Sequence, residues 1–227
     1  MQLLYITPTP DMDQSKNYFS KLNFELYEKE AICYAYDQQL CIAITDDRKQ
    51  RSGLCLIKNS WIKELDDLRI FAKVHSVGKA HYLTTPSGTW IQLREGQEIV
   101  LPSSQKKSLL GNFAGLSLET MDMALSARIF ACLGFEHSMG EIDKGWMSYT
   151  DQFDNTISLM SPFACPHLFL NPSLTFFNGT ENTRVIQSVR DASLPILEEI
   201  TAFNKDGVVD NIILCEPGGY GFFVFND

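Results

Sequence analysis

The chain has 227 residues, a formal net charge of −9 and an apolar content of 44%, which suits a packed globular protein with room for two units of about 110 residues. The acidic balance argues against nucleic acid and against anionic membrane surfaces as partners, since both call for a basic patch. No run of about 18 apolar residues occurs, so no membrane-spanning helix is expected.

Leu3 to Thr9 reads as a strand, stopped by Pro8 and Pro10. Asp11 to Lys21 reads as a short helix that Asp11 or Asp13 can cap, with Tyr18 and Leu22 on one face. Strands are expected over Phe24 to Lys29, Ala31 to Asp37 and Leu40 to Thr45, the last two joined by the tight turn Asp37-Gln38-Gln39. Gly53 to Lys58 is a further β run, and Trp61 to Val74 reads as a helix with interleaved charges. Ala80 to Thr84, the turn Pro86-Ser87-Gly88 and the strand Thr89 to Arg94 follow.

Residues 96–110 hold Gly96, Pro102, Ser103, Ser104, Lys106 and Lys107, the composition of a linker. A second series then begins: strand Ala114 to Glu119, helix Asp122 to Cys132 with Gly134 as its stop, and strands Phe135 to Ile142, Trp146 to Thr150 and Thr156 to Met160. Leu174 to Phe177 is a β run, and Thr183 to Phe203 reads as a longer helix interrupted near Pro195. Val208 to Glu216, the turn Pro217-Gly218-Gly219 and the strand Gly221 to Phe225 close the chain.

The two series match. Tyr18, Leu22 and Phe24 followed by Thr85-Pro86-Ser87-Gly88-Thr89-Trp90-Ile91-Gln92-Leu93 correspond to Ile129, Leu133, Gly134 and Phe135 followed by Glu216-Pro217-Gly218-Gly219-Tyr220-Gly221-Phe222-Phe223. The expected fold class is therefore α+β, with two tandem βαβββ modules, each carrying an extra helix before its last strand, forming a curved mixed-sheet trough. The expected boundaries are 1–98 for the first module, 99–111 for the linker and 112–227 for the second.

Six cysteines stand singly, with no Cys-x-x-Cys. Reduced thiols are the better reading, which with the strand-like start and the lack of a basic leader points to the cytoplasm. In that setting the Asn178-Gly179-Thr180 sequon is inert.

Asn17-Tyr18-Phe19-Ser20-Lys21-Leu22-Asn23-Phe24 and Arg128-Ile129-Phe130-Ala131-Cys132-Leu133-Gly134-Phe135, with the two closing turns above, resemble the vicinal oxygen chelate superfamily, which groups glyoxalases, bleomycin-resistance proteins and extradiol dioxygenases. The resemblance covers nearly the whole chain. In metal-dependent members the first strand of a module supplies a His, Gln or Glu and the closing strand a Glu. Together they hold a divalent ion that polarises two vicinal oxygens of the substrate. Here the first-strand position falls on Leu3 or Leu4 in one copy and on Ala114 or Gly115 in the other, and the closing-strand positions are Gln92 and Phe223. Gln92 alone of these carries a donor, so the family's usual metal site is expected to be lost and no cofactor is expected; a displaced divalent-metal site is the alternative.

The four histidines, His75, His81, His137 and His167, share no metal-ligand spacing. His81, on the strand before the Pro86 turn, is a candidate to look into the trough, although a lone histidine is more often structural. No nucleophile elbow or phosphate loop occurs, and Gly218-Gly219-Tyr220-Gly221 is a tight turn. The acidic runs, such as Asp46-Asp47 and Glu198-Glu199, read as solvated surface. Aromatics on strands are more suggestive: Tyr5, Tyr34, Tyr36, Trp90, Trp146, Tyr149 and Phe223, with Gln92 and His81 as polar handles, are the expected ligand-binding set. For each of them, packing beneath the helices is the competing reading.

The leading expectation is a glyoxalase/bleomycin-resistance-like, metal-independent binder of a small apolar or aromatic molecule in the inter-module trough, acting as monomer or homodimer. The alternatives are a metal-dependent lyase, isomerase or dioxygenase with a displaced site, and a structural or regulatory partner protein.

Overall fold

The computed structural model describes residues 1–226 and consists of two eight-stranded mixed sheets, one per sequence copy. The first copy runs β1 (Gln2–Pro8), α1 (Met12–Lys21), β2 (Glu25–Lys29), β3 (Ile32–Tyr36), β4 (Cys41–Thr45), β5 (Gly53–Lys58), α2 (Ile62–Leu68), β6 (His75–Val77), β7 (Ala80–Thr84) and β8 (Trp90–Glu95). The second runs β9 (Phe113–Glu119), α3 (Met123–Cys132), β10 (Glu136–Glu141), β11 (Trp146–Thr150), β12 (Thr156–Met160), β13 (Ser173–Phe177), α4 (Asn182–Asp191), β14 (Glu198–Ile200), β15 (Asn211–Cys215) and β16 (Gly221–Phe225). Residues 96–112 hold neither helix nor strand.

The two strand orders coincide: β2-β3-β4-β1-β5-β8-β7-β6 and β10-β11-β12-β9-β13-β16-β15-β14. Inside each copy the βαβββ pattern itself occurs twice. β1 pairs in parallel with β4, and β5 with β8, while β1 and β5 meet antiparallel at the centre. The second sheet repeats this with β9, β12, β13 and β16.

Two expected elements change accordingly. The helix expected over Trp61 to Val74 ends at Leu68, and the chain turns into the edge strand β6. The helix expected over Thr183 to Phe203 ends at Asp191; Pro195, which lacks an amide proton, sits in the turn leading to edge strand β14. What reads in sequence as an extra helix before the last strand is thus the helix of a second, smaller βαβββ unit.

Local chemistry explains the repetition. Asp11 caps α1 by accepting the Gln14 amide at 2.9 Å, and Thr9 Oγ1 bonds Ser15 Oγ at 2.7 Å. At the matched positions Asp122 accepts the Leu125 amide at 2.8 Å and Thr120 Oγ1 bonds Ser126 Oγ at 2.8 Å. Three of the four units close their last hairpin with the same backbone bond across four residues, from Thr85 to Thr89, Asp151 to Asn155 and Glu216 to Tyr220, and the other with a tighter one from Asp37 to Leu40.

The helices cover one face of each sheet, and these covered faces pack together. One continuous core runs through both copies: Phe19 and Tyr18 of α1 lie 6.1 and 6.2 Å from Phe222 of β16, and Tyr5 meets Phe113 edge-on at 5.6 Å. Polar bonds cross the same junction. Thr7 Oγ1 donates to Glu216 Oε1 at 2.5 Å and Tyr220 Oη donates to the Gly53 carbonyl at 2.5 Å. Gly218 is required here, because a Cβ would stand 2.0 Å from Thr7 Oγ1 and 2.4 Å from the Pro8 carbonyl oxygen.

Candidate functional site

Strand alternation leaves the other face of each sheet free of helices. On the first sheet this face carries Leu4, Ile6, Tyr34, Tyr36, Ala43, Cys55 and Ile57, partly roofed by Ile99 and Leu101. The roof is tied down by Gln2, whose side-chain amide exchanges two hydrogen bonds with the Ile99 backbone at 3.0 and 2.8 Å.

Beside the roof lies a cavity of about 260 Å³. Leu4, Ile6, Ile32 and Ala43 supply its apolar surface, and Tyr34 and Cys55 a phenol and a thiol. Gln92 and Arg94 line one side, Glu30 and Asp47 another. Burial pushes the Cys55 thiol up to about 12, with the Arg94 guanidinium pulling the other way. Burial likewise raises the Tyr34 phenol, again opposed by Arg94. The Gln92 amide nitrogen donates to the Tyr82 phenol oxygen at 3.1 Å, which fixes its side chain.

Of the nine residues expected to bind ligand, Tyr34 and Gln92 line this cavity. Trp90 shares the face of Gln92 and packs edge-on against Tyr82 at 6.3 Å, outside the cavity lining. Tyr36 belongs with Tyr5 to a separate cavity of about 300 Å³, beside Leu101, Pro102 and, from the second copy, Asn155. Tyr5 is in the common core, and burial raises its phenol far above the ordinary range.

His81 is on the helix-covered face. It pairs across the ladder with core residue Leu93 and bonds Ser76 Oγ through Nδ1 at 2.8 Å, while its buried Nε2 has no partner among the described residues. Tyr149 also packs in the core, edge-on to His137 at 5.7 Å. Trp146 and Phe223 lie on the helix-free face of the second sheet, Trp146 in part exposed and Phe223 buried. The nine residues are therefore spread over both faces and both copies, and the cavity between the copies does not gather them.

Cys55 and Arg94 were absent from the sequence-based set. Arg94 stands two residues after Gln92 on the same strand face, so alternation alone reaches it. Cys55 opens the hidden second βαβββ unit, which the sequence does not announce.

The register also decides between the alternative first-strand positions that the resemblance implied. Leu4, Cys55 and Gln92 form one row across β1, β5 and β8. Gly115, Thr175 and Phe223 form the matching row across β9, β13 and β16. Leu3 and Ala114 therefore drop out in favour of Leu4 and Gly115. One row offers a thiol and an amide beside Leu4, and the other a single hydroxyl between Gly115 and Phe223, neither of which is the imidazole and carboxylate set of a divalent-metal site. Among the described residues no group of three or more His, Cys, Asp or Glu side chains is placed to hold a metal.

The second sheet's helix-free face is occupied by its own chain. Phe169 and Leu170 pack with Ile200, Ile213 and Phe223, and His167 stands edge-on to Phe223 and Phe225 at 5.3 and 5.1 Å. Phe163 N and Asn171 Nδ2 both bond to Glu119, at 3.1 and 2.8 Å, so one residue holds both ends of the segment. The remaining strands present Ser148, Ser158, Ser117 and Ser173 in one row; Ser148 bonds Ser158 at 2.8 Å, and Ser117 bonds Thr175 at 2.7 Å.

This architecture recurs in solved structures. Catechol 2,3-dioxygenase superposes with a TM-score of 0.60 at 11% identity, over 97% of this chain and 85% of that one. Homoprotocatechuate 2,3-dioxygenase from Arthrobacter globiformis gives 0.61 at 10% identity, over 97% and 78%. The 2,2',3-trihydroxybiphenyl 1,2-dioxygenase from Sphingomonas wittichii gives 0.57 at 13% identity, over 99% and 91%. The chain has the vicinal oxygen chelate fold. At these identities the likeness establishes the fold and leaves the activity open. No protein-family model matches the sequence, and no curated protein matches it either. No helix among the described residues is long and apolar enough to cross a membrane.

Proposed function

We propose that the protein binds a small apolar or aromatic molecule on the helix-free face of its first sheet, without a metal ion. The observation that carries this reading is the 260 Å³ cavity, with an apolar surface and a few convergent polar groups. The donor sets on the family's ligand rows support the metal-free part. A cytoplasmic setting suits six free cysteines, two of which, Cys33 and Cys55, are buried.

The test is thermal denaturation against a panel of single-ring compounds. A ligand at a hundred times its Kd stabilises by about 2.7 kcal/mol, which raises the Tm of a chain this size by roughly 5–10 °C. A panel that leaves the Tm unmoved sinks the reading.

The fold shared with dioxygenases over almost the whole chain favours a second reading, a metal-dependent lyase, isomerase or dioxygenase with a displaced site. Elemental analysis of protein purified without chelator decides between the two. About one equivalent of a transition metal per chain, with activity lost on chelation, would establish the enzyme.

A further inference from the structure

We propose that the ligand of the first-sheet cavity is a single-ring carboxylate, with Arg94 as its anion partner; this rests on the binding reading above.

Three observations carry it. First, among the described residues Arg94 makes no ion pair, although Glu30 and Asp47 line the same cavity. A guanidinium offers five donors in a planar fork matched to a carboxylate. Second, its backbone is fixed from both sides. The Arg94 carbonyl accepts the Trp61 indole N–H at 3.0 Å, and its strand is held between β5 and β7. Arg94 lines the cavity together with Tyr34 and Cys55, and its charge favours the ionised form of both groups.

Third, the cavity divides into an apolar part and a donor part. Leu4, Ile6 and Ala43 offer an apolar surface for a ring, and about 260 Å³ is ample for one ring with its carboxylate group. Arg94 and the Tyr34 hydroxyl offer hydrogen-bond donors. A cationic ring would meet Arg94 at close range. Glu30 and Asp47 are exposed like Arg94, and Asp47 Oδ1 also accepts the Lys49 amide at 2.9 Å, so a cationic ring is the competing occupant that benzylamine tests below.

The experiment is titration of the full chain with benzoate, benzamide and benzylamine, followed by calorimetry and by amide chemical shifts, at low and at moderate salt. Benzoate is expected to bind tightest. Arg94→Gln is expected to weaken benzoate on the order of 10- to 100-fold while leaving benzamide within about twofold, because a charge-assisted bidentate pair is lost. Arg94→Lys, which keeps the charge but not the fork, should fall between. Arg94 is exposed, so these variants are expected to fold. Equal binding of benzoate and benzamide, or an unchanged benzoate affinity in Arg94→Gln, overturns the carboxylate assignment and leaves the binding reading intact. Shifts from none of the three compounds overturn both.

Discussion

The two sheets follow one plan and differ in what occupies the face away from their helices. In the first copy that face is apolar around Leu4, Ile6 and Ala43, roofed at one end by Ile99 and Leu101, and it retains a cavity. In the second, the segment between β12 and β13 folds back onto Phe223 and Ile213, and the hydroxyls of the serine row are taken up within the copy, Ser148 with Ser158, Ser117 with Thr175 and Ser173 with the Leu170 carbonyl. Identical strand orders thus give one surface with groups to spare and one whose groups are spent internally. What separates them is connection chemistry: a segment bearing His167, Phe169 and Leu170 supplies the contacts a ligand would otherwise make. A fold-level likeness to dioxygenases is compatible with both states, which is why it does not decide function.

The sharpest way to break the comparison is to cut large side chains from each face. Phe223 is buried and contacts three aromatic rings, with Phe225 stacked at 5.6 Å and Phe169 at 5.0 Å. Phe223→Ala is expected to cost about 3–5 kcal/mol, read by urea denaturation. Leu4→Ala, beside space that is already empty, should cost toward the lower end of about 2–5 kcal/mol. Equal costs would mean that the first face is filled in solution as well as the second.

A middle-sized effect probes the junction the copies share. Glu216 is 2% exposed and accepts from Thr7 Oγ1 of the first copy and from the Gly218 and Tyr220 amides of the second, at 2.5, 2.8 and 3.0 Å. Glu216→Ala leaves these donors unpaired and should cost about 1–3 kcal/mol. Burial raises the Glu216 carboxyl above its ordinary value against the pull of those hydrogen bonds. Its contribution is therefore full below the unfolded-state value and is lost as pH rises through the folded one. Stability relative to Glu216→Gln should accordingly fall as pH rises across that window. A difference between the two proteins that is flat with pH, measured by urea midpoints, would place the carboxylate in a more solvated site.

The plan of the fold was legible because its punctuation is local. Asp11 and Asp122 cap helices, and Leu22-Asn23-Phe24 and Leu133-Gly134-Phe135 end them, each by chemistry contained in a few residues. The fourfold repeat was hidden because β6 and β14 are three-residue edge strands, too short to show alternation, and each follows a helix whose pattern runs on past its end. Tyr34 and Gln92 were reachable through alternation. His81 was misassigned to the trough because alternation separates two faces without saying which one the helices cover; that depends on pairing with Leu93 across β8. The segment carrying His167 and Phe169 has no periodicity at all, so its docking onto Phe223 had no signature in sequence.

The smallest effect tests where the copies should agree. Asp11 and Asp122 each sit in extended or near-extended backbone and accept the amide three residues on, and each is backed by a Thr–Ser pair, Thr9–Ser15 or Thr120–Ser126. Asp11→Ala and Asp122→Ala should therefore cost nearly the same, about 1 kcal/mol apiece. The two caps belong to different helices and share no hydrogen-bond partner, so the double variant should cost about the sum of the two. If the Asp122 variant were markedly worse, the second copy would depend on its helix start in a way the first does not. The difference between the halves would then reach beyond the two faces and into the repeated scaffold itself.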